Sequence, residues 1–128
     1  MTLKGLPIIA FGLVLLPSVG ATAAESLPIA GAWGNADGCR YHRDGSIDGD
    51  GLKLVTPKEI TAYGGGCEIL QVLTASDGTH VVTGSCSYEG EDVRGVEHFA
   101  VRTSDTTPPT LLIYNSDGSL WEEVAQCP

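Results

Sequence analysis

Two runs of β-branched and aliphatic residues flank Ser76-Asp77-Gly78, and they form the clearest hydrophobic pattern in the chain. They cover residues 69–74 and 81–83, and an Asp-Gly step between such runs is typical of a hairpin turn. In the register that places Ser76 opposite Asp77, Cys67 lies opposite Cys86. Directly opposed residues of antiparallel strands have Cβ atoms about 4.5–5.5 Å apart, near the separation that a disulfide needs. The pattern therefore predicts a hairpin with a cross-strand Cys67–Cys86 disulfide.

Shorter apolar or alternating runs recur along the rest of the chain, separated by turns that contain proline or glycine. No segment has apolar residues at the 3.6-residue period of a helix, and residues 35–50 are expected to be irregular. Together with the hairpin, these runs give about eight short strands. They predict an all-β antiparallel meander that closes into a small barrel, with a β-sandwich as the alternative. The remaining predicted strands are residues 29–34, 52–56, 59–63, 93–103, 110–115 and 120–126.

Residues 1–24 have the composition of a secretory signal peptide. Lys4 precedes the apolar residues 6–19, and Ala21-Thr22-Ala23 fits the small-residue pattern of a cleavage site. We expect cleavage after Ala24, which leaves residues 25–128 as one small β-barrel-like domain with no membrane anchor. The protein is therefore expected in the periplasm or outside the cell.

The chain is acidic, with seven Lys and Arg against sixteen Asp and Glu, a formal net charge of −9. Of these residues only Lys4 lies in the predicted leader, so the processed chain would carry 6 − 16 = −10. Such a surface repels nucleic-acid phosphates and anionic lipids, which argues against both as partners. The acidity either steers a cationic protein partner toward the chain or serves solubility alone.

Four cysteines follow the predicted leader, and an even number in a short exported chain is typical of a disulfide framework. Three pairings are possible. If the hairpin register joins Cys67 to Cys86, Cys39 is left for Cys127, and this second disulfide ties the first strand region to the last strand. Each disulfide is expected to contribute about 3–5 kcal/mol to stability.

No catalytic motif stands out, and we predict that the chain is not an enzyme. His42, His80 and His98 are dispersed, and neither a Gly-x-Ser-x-Gly elbow nor a His-Glu-x-x-His zinc motif is present. The cysteines lack the paired Cys-x-x-Cys spacing of a structural zinc site.

The one segment that suggests a metal is the acidic run from Asp44 to Asp50. Asp44, Asp48 and Asp50 have the oxygen-ligand spacing of the first half of an EF-hand loop, with Gly49 at its sixth position. Position twelve, however, is Val55 instead of the bidentate glutamate, and no flanking helix is expected. The segment is a candidate for weak calcium binding, and the alternative is a solvated Asp-Gly turn; no other cofactor is expected.

The order of several short motifs resembles a group of uncharacterised, exported, two-disulfide β proteins of Gram-negative bacteria. These motifs are Gly31-x-Trp33, Cys39, Tyr63-x-x-x-Cys67-Glu68, Cys86 followed by Glu89-Gly90-Glu91, and the terminal Cys127-Pro128. The resemblance implies a fold and a compartment but no activity. The early Gly-x-Trp followed by a β meander is more distantly similar to the lipocalin and avidin type of barrel.

Two functions are compatible with these features. The first is a non-enzymatic binding or inhibitor module, in the manner of the small β-barrel inhibitors of lysozymes and secreted proteases, whose rigid loops engage a cationic protein. Its expected contacts are Glu89, Glu91, Asp92 and Trp121, whereas Trp33 is expected in the core. The second is a small-ligand carrier of lipocalin type, which requires a cavity of about 300 Å³ or more inside the barrel. The sequence does not determine the oligomeric state.

Overall fold

The computed structural model describes residues 5, 10, 12–15 and 22–128, and most of the predicted leader lies outside the described residues. Within the described part, the chain forms nine strands and one helix. The elements are β1 (Thr22–Ala24), β2 (Trp33–Gly34), α1 (Ala36–Asp44), β3 (Lys53–Val55), β4 (Glu59–Ala62), β5 (Gly65–Thr74), β6 (His80–Tyr88), β7 (Gly95–Thr103), β8 (Thr110–Asn115) and β9 (Leu120–Gln126).

The strands from β2 to β9 form a closed eight-stranded antiparallel barrel, which confirms the predicted meander and excludes the sandwich. Consecutive strands pair with each other, as expected for short turns. The barrel closes at β2, where Trp33 lies opposite Val55 of β3 and opposite Gln126 of β9. The Cys39–Cys127 disulfide lies beside this closure and ties α1 to the residue after β9.

The extra strand, β1, pairs with the second half of β5, and Ala23 lies opposite Leu73. β4 pairs with the first half of the same edge, as far as Glu68. The two short strands therefore share one edge of β5, while its other edge pairs with β6.

The hairpin of β5 and β6 carries the predicted Cys67–Cys86 disulfide, which the structure confirms. The register predicted near the turn is wrong by one residue. Ala75 N–H donates to Thr79 O, so the loop has three residues, and Gly78 takes the left-handed conformation (φ 87°) that such loops need. A bulge at Leu70 then shifts the pairing back by one residue, and the cysteines lie opposite each other as predicted.

Apolar side chains fill the barrel and form one continuous cluster. Leu27, which precedes β2, joins this cluster, and its N–H donates to Pro57 O at 2.9 Å. The predicted core position of Trp33 is confirmed, since the residue is 8% exposed. The other buried members are Val55, Ile60, Cys67, Ile69, Val72, Val82, Cys86, Val101, Leu111, Ile113 and Val124.

The helix α1 contradicts the expectation that residues 35–50 are irregular. Asn35 caps its first turn, because its Oδ1 accepts the N–H of Gly38 at 2.8 Å and the N–H of Lys53 at 3.0 Å. Gly45 ends it in a left-handed conformation, with its N–H donating to Tyr41 O. The helix covers a second, smaller apolar cluster outside the barrel, formed by Ala32, Leu52 and Leu54, with Tyr41 and Cys127 packed against it.

Candidate binding surfaces

Three acidic residues stand together on the loop between β6 and β7, and we call Glu89, Glu91 and Asp92 the acidic rim. All three are exposed. Glu89 N–H donates to Gly64 O at 2.6 Å, and Glu91 N–H donates to Tyr88 O at 3.0 Å, so the backbone of the loop is fixed. Among the ion pairs of the described residues, none includes a carboxylate of the acidic rim. These negative charges are therefore available to a partner.

Apolar groups flank the acidic rim. Val93 follows it in the sequence and is 77% exposed, and Tyr63, which precedes Gly64, is also exposed. The rim thus combines charge with exposed apolar surface, and protein interfaces commonly pair a polar periphery with apolar contacts.

The base of the acidic rim is held by a tyrosine and a glutamate at the end of the barrel. The Tyr88 hydroxyl donates to Glu97 Oε2. Burial, followed by the hydrogen bond and the negative charge of Glu97, raises the pKa of Tyr88 to about 12. Gly65 makes room for the tyrosine ring, because a Cβ at that position would lie 2.5 Å from Tyr88 Cδ1. Tyr88, which is 38% exposed, is therefore held at the end of the barrel by Glu97 and beside Gly65, and the rim begins at the next residue.

One group of potential metal ligands occurs among the described residues, and it is not a metal centre. The ligand atoms of Cys67, Cys86 and Glu97 lie within 4.8 Å of one another. Both sulfur atoms belong to the disulfide, however, so no thiolate is available to bind a metal.

The three aspartates of the calcium prediction lie at and after the end of α1. Asp44 accepts the N–H of Ser46 at 2.9 Å and its hydroxyl at 2.5 Å, and these hydrogen bonds lower the pKa of Asp44. Asp48 pairs with Arg40 at 3.2 Å. Their carboxylates and that of Asp50 do not form a cluster within 4.8 Å in the described part of the chain. A helix does precede the loop, contrary to expectation, and calcium binding stays a prediction.

Trp121 lies in a β-bulge of β9 and is half-buried. Its ring packs against the barrel core, and Lys53 Nζ lies 5.2 Å from the ring centroid. The structure therefore places Trp121 on a strand and not in the β6–β7 loop that carries the acidic rim, so the four predicted contact residues do not share one loop.

The outer wall of the barrel has an apolar feature that the sequence analysis missed. Five side chains lie directly opposite one another across β5, β6, β7, β8 and β9, on the face away from the core. We call this set the apolar row; it consists of Leu73, Val81, Ala100, Tyr114 and Leu120. Val81 is 42% and Leu120 is 54% exposed. Consecutive apolar residues such as Phe99-Ala100-Val101 were the available signal, because they place apolar side chains on both faces of a strand.

A cleft of about 410 Å³ opens over the middle of the apolar row. Ala100, the smallest residue of the apolar row, lies at this cleft. Its two neighbours in the row, Val81 and Tyr114, line the cleft on either side of it. His98 and Arg102, which lie two residues before and two residues after Ala100 on the same face, also line the cleft. Other clefts, of about 290 Å³ and 460 Å³, are lined mainly by charged and polar residues near β4 and β5.

Among the described residues, no helix has the length and the apolar character needed to cross a bilayer. Comparison with known proteins adds no relative: no family model, no curated protein and no solved structure matches this chain.

Proposed function

We propose that this chain is an exported, non-enzymatic binding module of the inhibitor type, and that it engages a cationic protein through the acidic rim. The observation that carries the proposal is the rim itself. Three exposed carboxylates, without an ion pair in the described part of the chain, stand on a loop whose backbone is fixed at Gly64 and at Tyr88. A fixed loop loses less conformational entropy on binding than a free one.

The disulfides support the compartment that this proposal assumes. Two bridges in a short chain suit an oxidising environment such as the periplasm or the cell exterior. Removal of the leader would make the net charge more negative, from −9 to −10, which increases the attraction for a cationic partner.

The packing of the barrel favours a binding module over a ligand carrier of lipocalin type. The interior positions Val55, Val72, Val82, Val101 and Ile113 are fully buried and pack against one another. An eight-stranded barrel is just wide enough for its side chains to fill the interior. The buried side chains therefore occupy the space that a carrier would need for its ligand.

The test is a comparison of two charge variants. In the rim variant, Glu89→Gln, Glu91→Gln and Asp92→Asn remove three charges from the loop. In the control variant, Asp50→Asn, Glu59→Gln and Asp105→Asn remove three charges from exposed positions elsewhere. The two proteins have the same net charge, so they differ only in where the charge lies.

The probe is a basic lysozyme, and the measurement is its association rate and its inhibition at low and at physiological salt. We expect the wild type and the control variant to associate faster at low salt, and the rim variant to lose most of this acceleration. Equal rates for all three proteins at both salt concentrations, with no inhibition by any of them, would contradict the proposal for this class of partner.

A further inference from the structure

One edge of β5 is covered by residues that belong to the predicted leader. β4 covers this edge as far as Glu68, and the N–H of Ile69 donates to Lys58 O at 2.8 Å. Further along the edge, residues 72–74 pair with β1, which consists of Thr22–Ala24. A cut after Ala24 would remove all three residues of β1 and leave this part of the edge without its strand.

We propose that leader removal opens this edge of β5 and that a second copy of the chain fills it by antiparallel strand pairing. The inference rests on the export and processing assumed by the proposed function. It does not depend on the acidic rim.

The barrel stays intact when the edge opens. Leu27 is buried at 2% exposure and lies after the cut, and β5 keeps its pairing with β6 along its whole length. Ala23 and Ala24 are exposed, so no other part of the described chain encloses the space that β1 occupies. Larger side chains than alanine therefore fit at this edge.

The sequence of β5 favours its own second copy as the occupant. Residues 69–76 read Ile-Leu-Gln-Val-Leu-Thr-Ala-Ser and contain no charge and no proline, in a chain with a net charge of −9. Proteins usually protect such strands at an edge with lysine or proline, because uncharged segments with high β-propensity pair with one another. Two such strands approach without the repulsion that other parts of this surface would cause.

Antiparallel pairing of two identical strands has two-fold symmetry, so it closes as a dimer and does not extend into a fibre. With Leu73 at the centre, each copy places Leu73 opposite Leu73 and Val72 opposite Thr74. Leu73 is also the end of the apolar row. The pairing would therefore join the rows of the two copies into one continuous apolar band across the outer walls.

The experiment uses the full chain, expressed with its own leader in an exporting bacterial host. Intact mass gives the N-terminus of the purified product, and sedimentation at increasing concentration gives its mass in solution. We expect a product that begins at Glu25 and whose apparent mass doubles as concentration rises. Leu73→Lys should hold the apparent mass at that of the monomer, whereas Val81→Thr, in the same row on the neighbouring strand, should leave dimerisation unchanged.

Two further measurements on the wild type test the proposal even if Leu73→Lys fails to fold. A peptide of residues 20–26 added to the wild type should refill the edge and shift the product toward monomer. Amide hydrogen exchange of residues 72–74 should slow as the concentration of protein rises.

A wild-type product that stays monomeric at every concentration would overturn the proposal, and so would a dimer that persists in Leu73→Lys. A dimer whose chains begin at Thr22 or earlier would overturn it as well, because β1 would then still cover the edge. The rim variant of the previous section should dimerise like the wild type. A wild type that dimerises but neither associates with nor inhibits the basic lysozyme would therefore count against the proposed function alone.

Discussion

Replacement of Gly38 by alanine tests whether α1 lies against β3 as the structure shows. Gly38 is the third residue of α1, and within a helix alanine normally stabilises a protein by up to about 1 kcal/mol relative to glycine. Helix propensity alone therefore predicts that Gly38→Ala is more stable than the wild type. The packing of the helix predicts the opposite sign.

The steric conflict sets the magnitude of this effect. A Cβ on Gly38 would lie 1.8 Å from the carbonyl oxygen of Lys53, whereas ordinary contacts begin at 3.4 Å, so the helix must recede by 3.4 − 1.8 = 1.6 Å. Such overpacking costs about 1–3 kcal/mol. The movement also breaks the cap that Asn35 makes, which is worth about 1 kcal/mol and offsets the gain in propensity. The net expectation is a loss of about 1–3 kcal/mol.

Equilibrium unfolding in urea, followed by the fluorescence of the buried Trp33 and the half-buried Trp121, measures this loss with both disulfides intact. Gly95→Ala is the matched control, because a Cβ at Gly95 meets nothing within 4 Å and its backbone has an ordinary φ. We expect this control to be neutral or up to about 1 kcal/mol more stable than the wild type. If Gly38→Ala unfolds at the same or a higher urea concentration than the wild type, with an unchanged slope, the described contact between α1 and β3 is wrong.

Three other predictions concern the disulfides, the tyrosine of the rim and calcium. The Cys39–Cys127 disulfide spans 88 residues and Cys67–Cys86 spans 19. The chain-entropy model therefore gives losses in the free energy of unfolding of about 4.6 and about 3.2 kcal/mol when each pair is replaced by alanine. If urea unfolding shows equal losses, or a larger loss for Cys67–Cys86, the packing of this buried pair outweighs loop entropy. The pKa of Tyr88 is raised to about 12 from 10.0, so the folded state holds the phenolic proton more tightly; this contribution to stability is complete below pH 10 and disappears as the pH rises through 12, and an ultraviolet titration should show one tyrosine fewer in that upper range for Tyr88→Phe. Calcium, if bound by the three aspartates, should bind with a dissociation constant of about 10⁻⁴–10⁻³ M and displace Arg40 from Asp48; a calorimetric titration without heat at millimolar calcium would return the segment to a solvated turn.

The barrel and both disulfides could be predicted because they follow from local signals that agree with one another. Strand-forming runs, Asp-Gly turns and the opposition of Cys67 and Cys86 all specify the same antiparallel neighbours. Even so, the register at the cysteines was correct because two departures cancel. The loop at Gly78 is one residue out of the predicted register, and the bulge at Leu70 restores it.

The helix α1 could not be predicted in the same way, because its stability comes from contacts distant in sequence. It has nine residues and contains a glycine, and it is polar over most of its surface. Asn35 caps the helix and also accepts the N–H of Lys53, which is 18 residues away. The caps at Asn35 and Gly45 were visible as residue types, but they indicate a helix only when an apolar pattern accompanies them.

The two candidate surfaces also differ in how far the sequence alone predicts them. The acidic rim was predicted from the sequence, since charged residues after a turn are exposed in nearly any fold. The apolar row could be recognised only from the register of five strands, because each strand from β5 to β9 contributes one of its members between Leu73 and Leu120.

If the chain is exported as proposed, the position of Cys127 in the sequence sets the order in which its disulfides can form. A chain that crosses a membrane with its N-terminus first presents Cys39, then Cys67 after 67 − 39 = 28 residues, and then Cys86. When Cys67 and Cys86 have both crossed and can pair, Cys127 still lies 127 − 86 = 41 residues further along the chain. The Cys39 thiol therefore has no native partner available at this stage. Oxidation in order of arrival would join Cys39 to Cys67, so the native chain depends either on rapid hairpin formation or on thiol–disulfide exchange that releases this early mispairing.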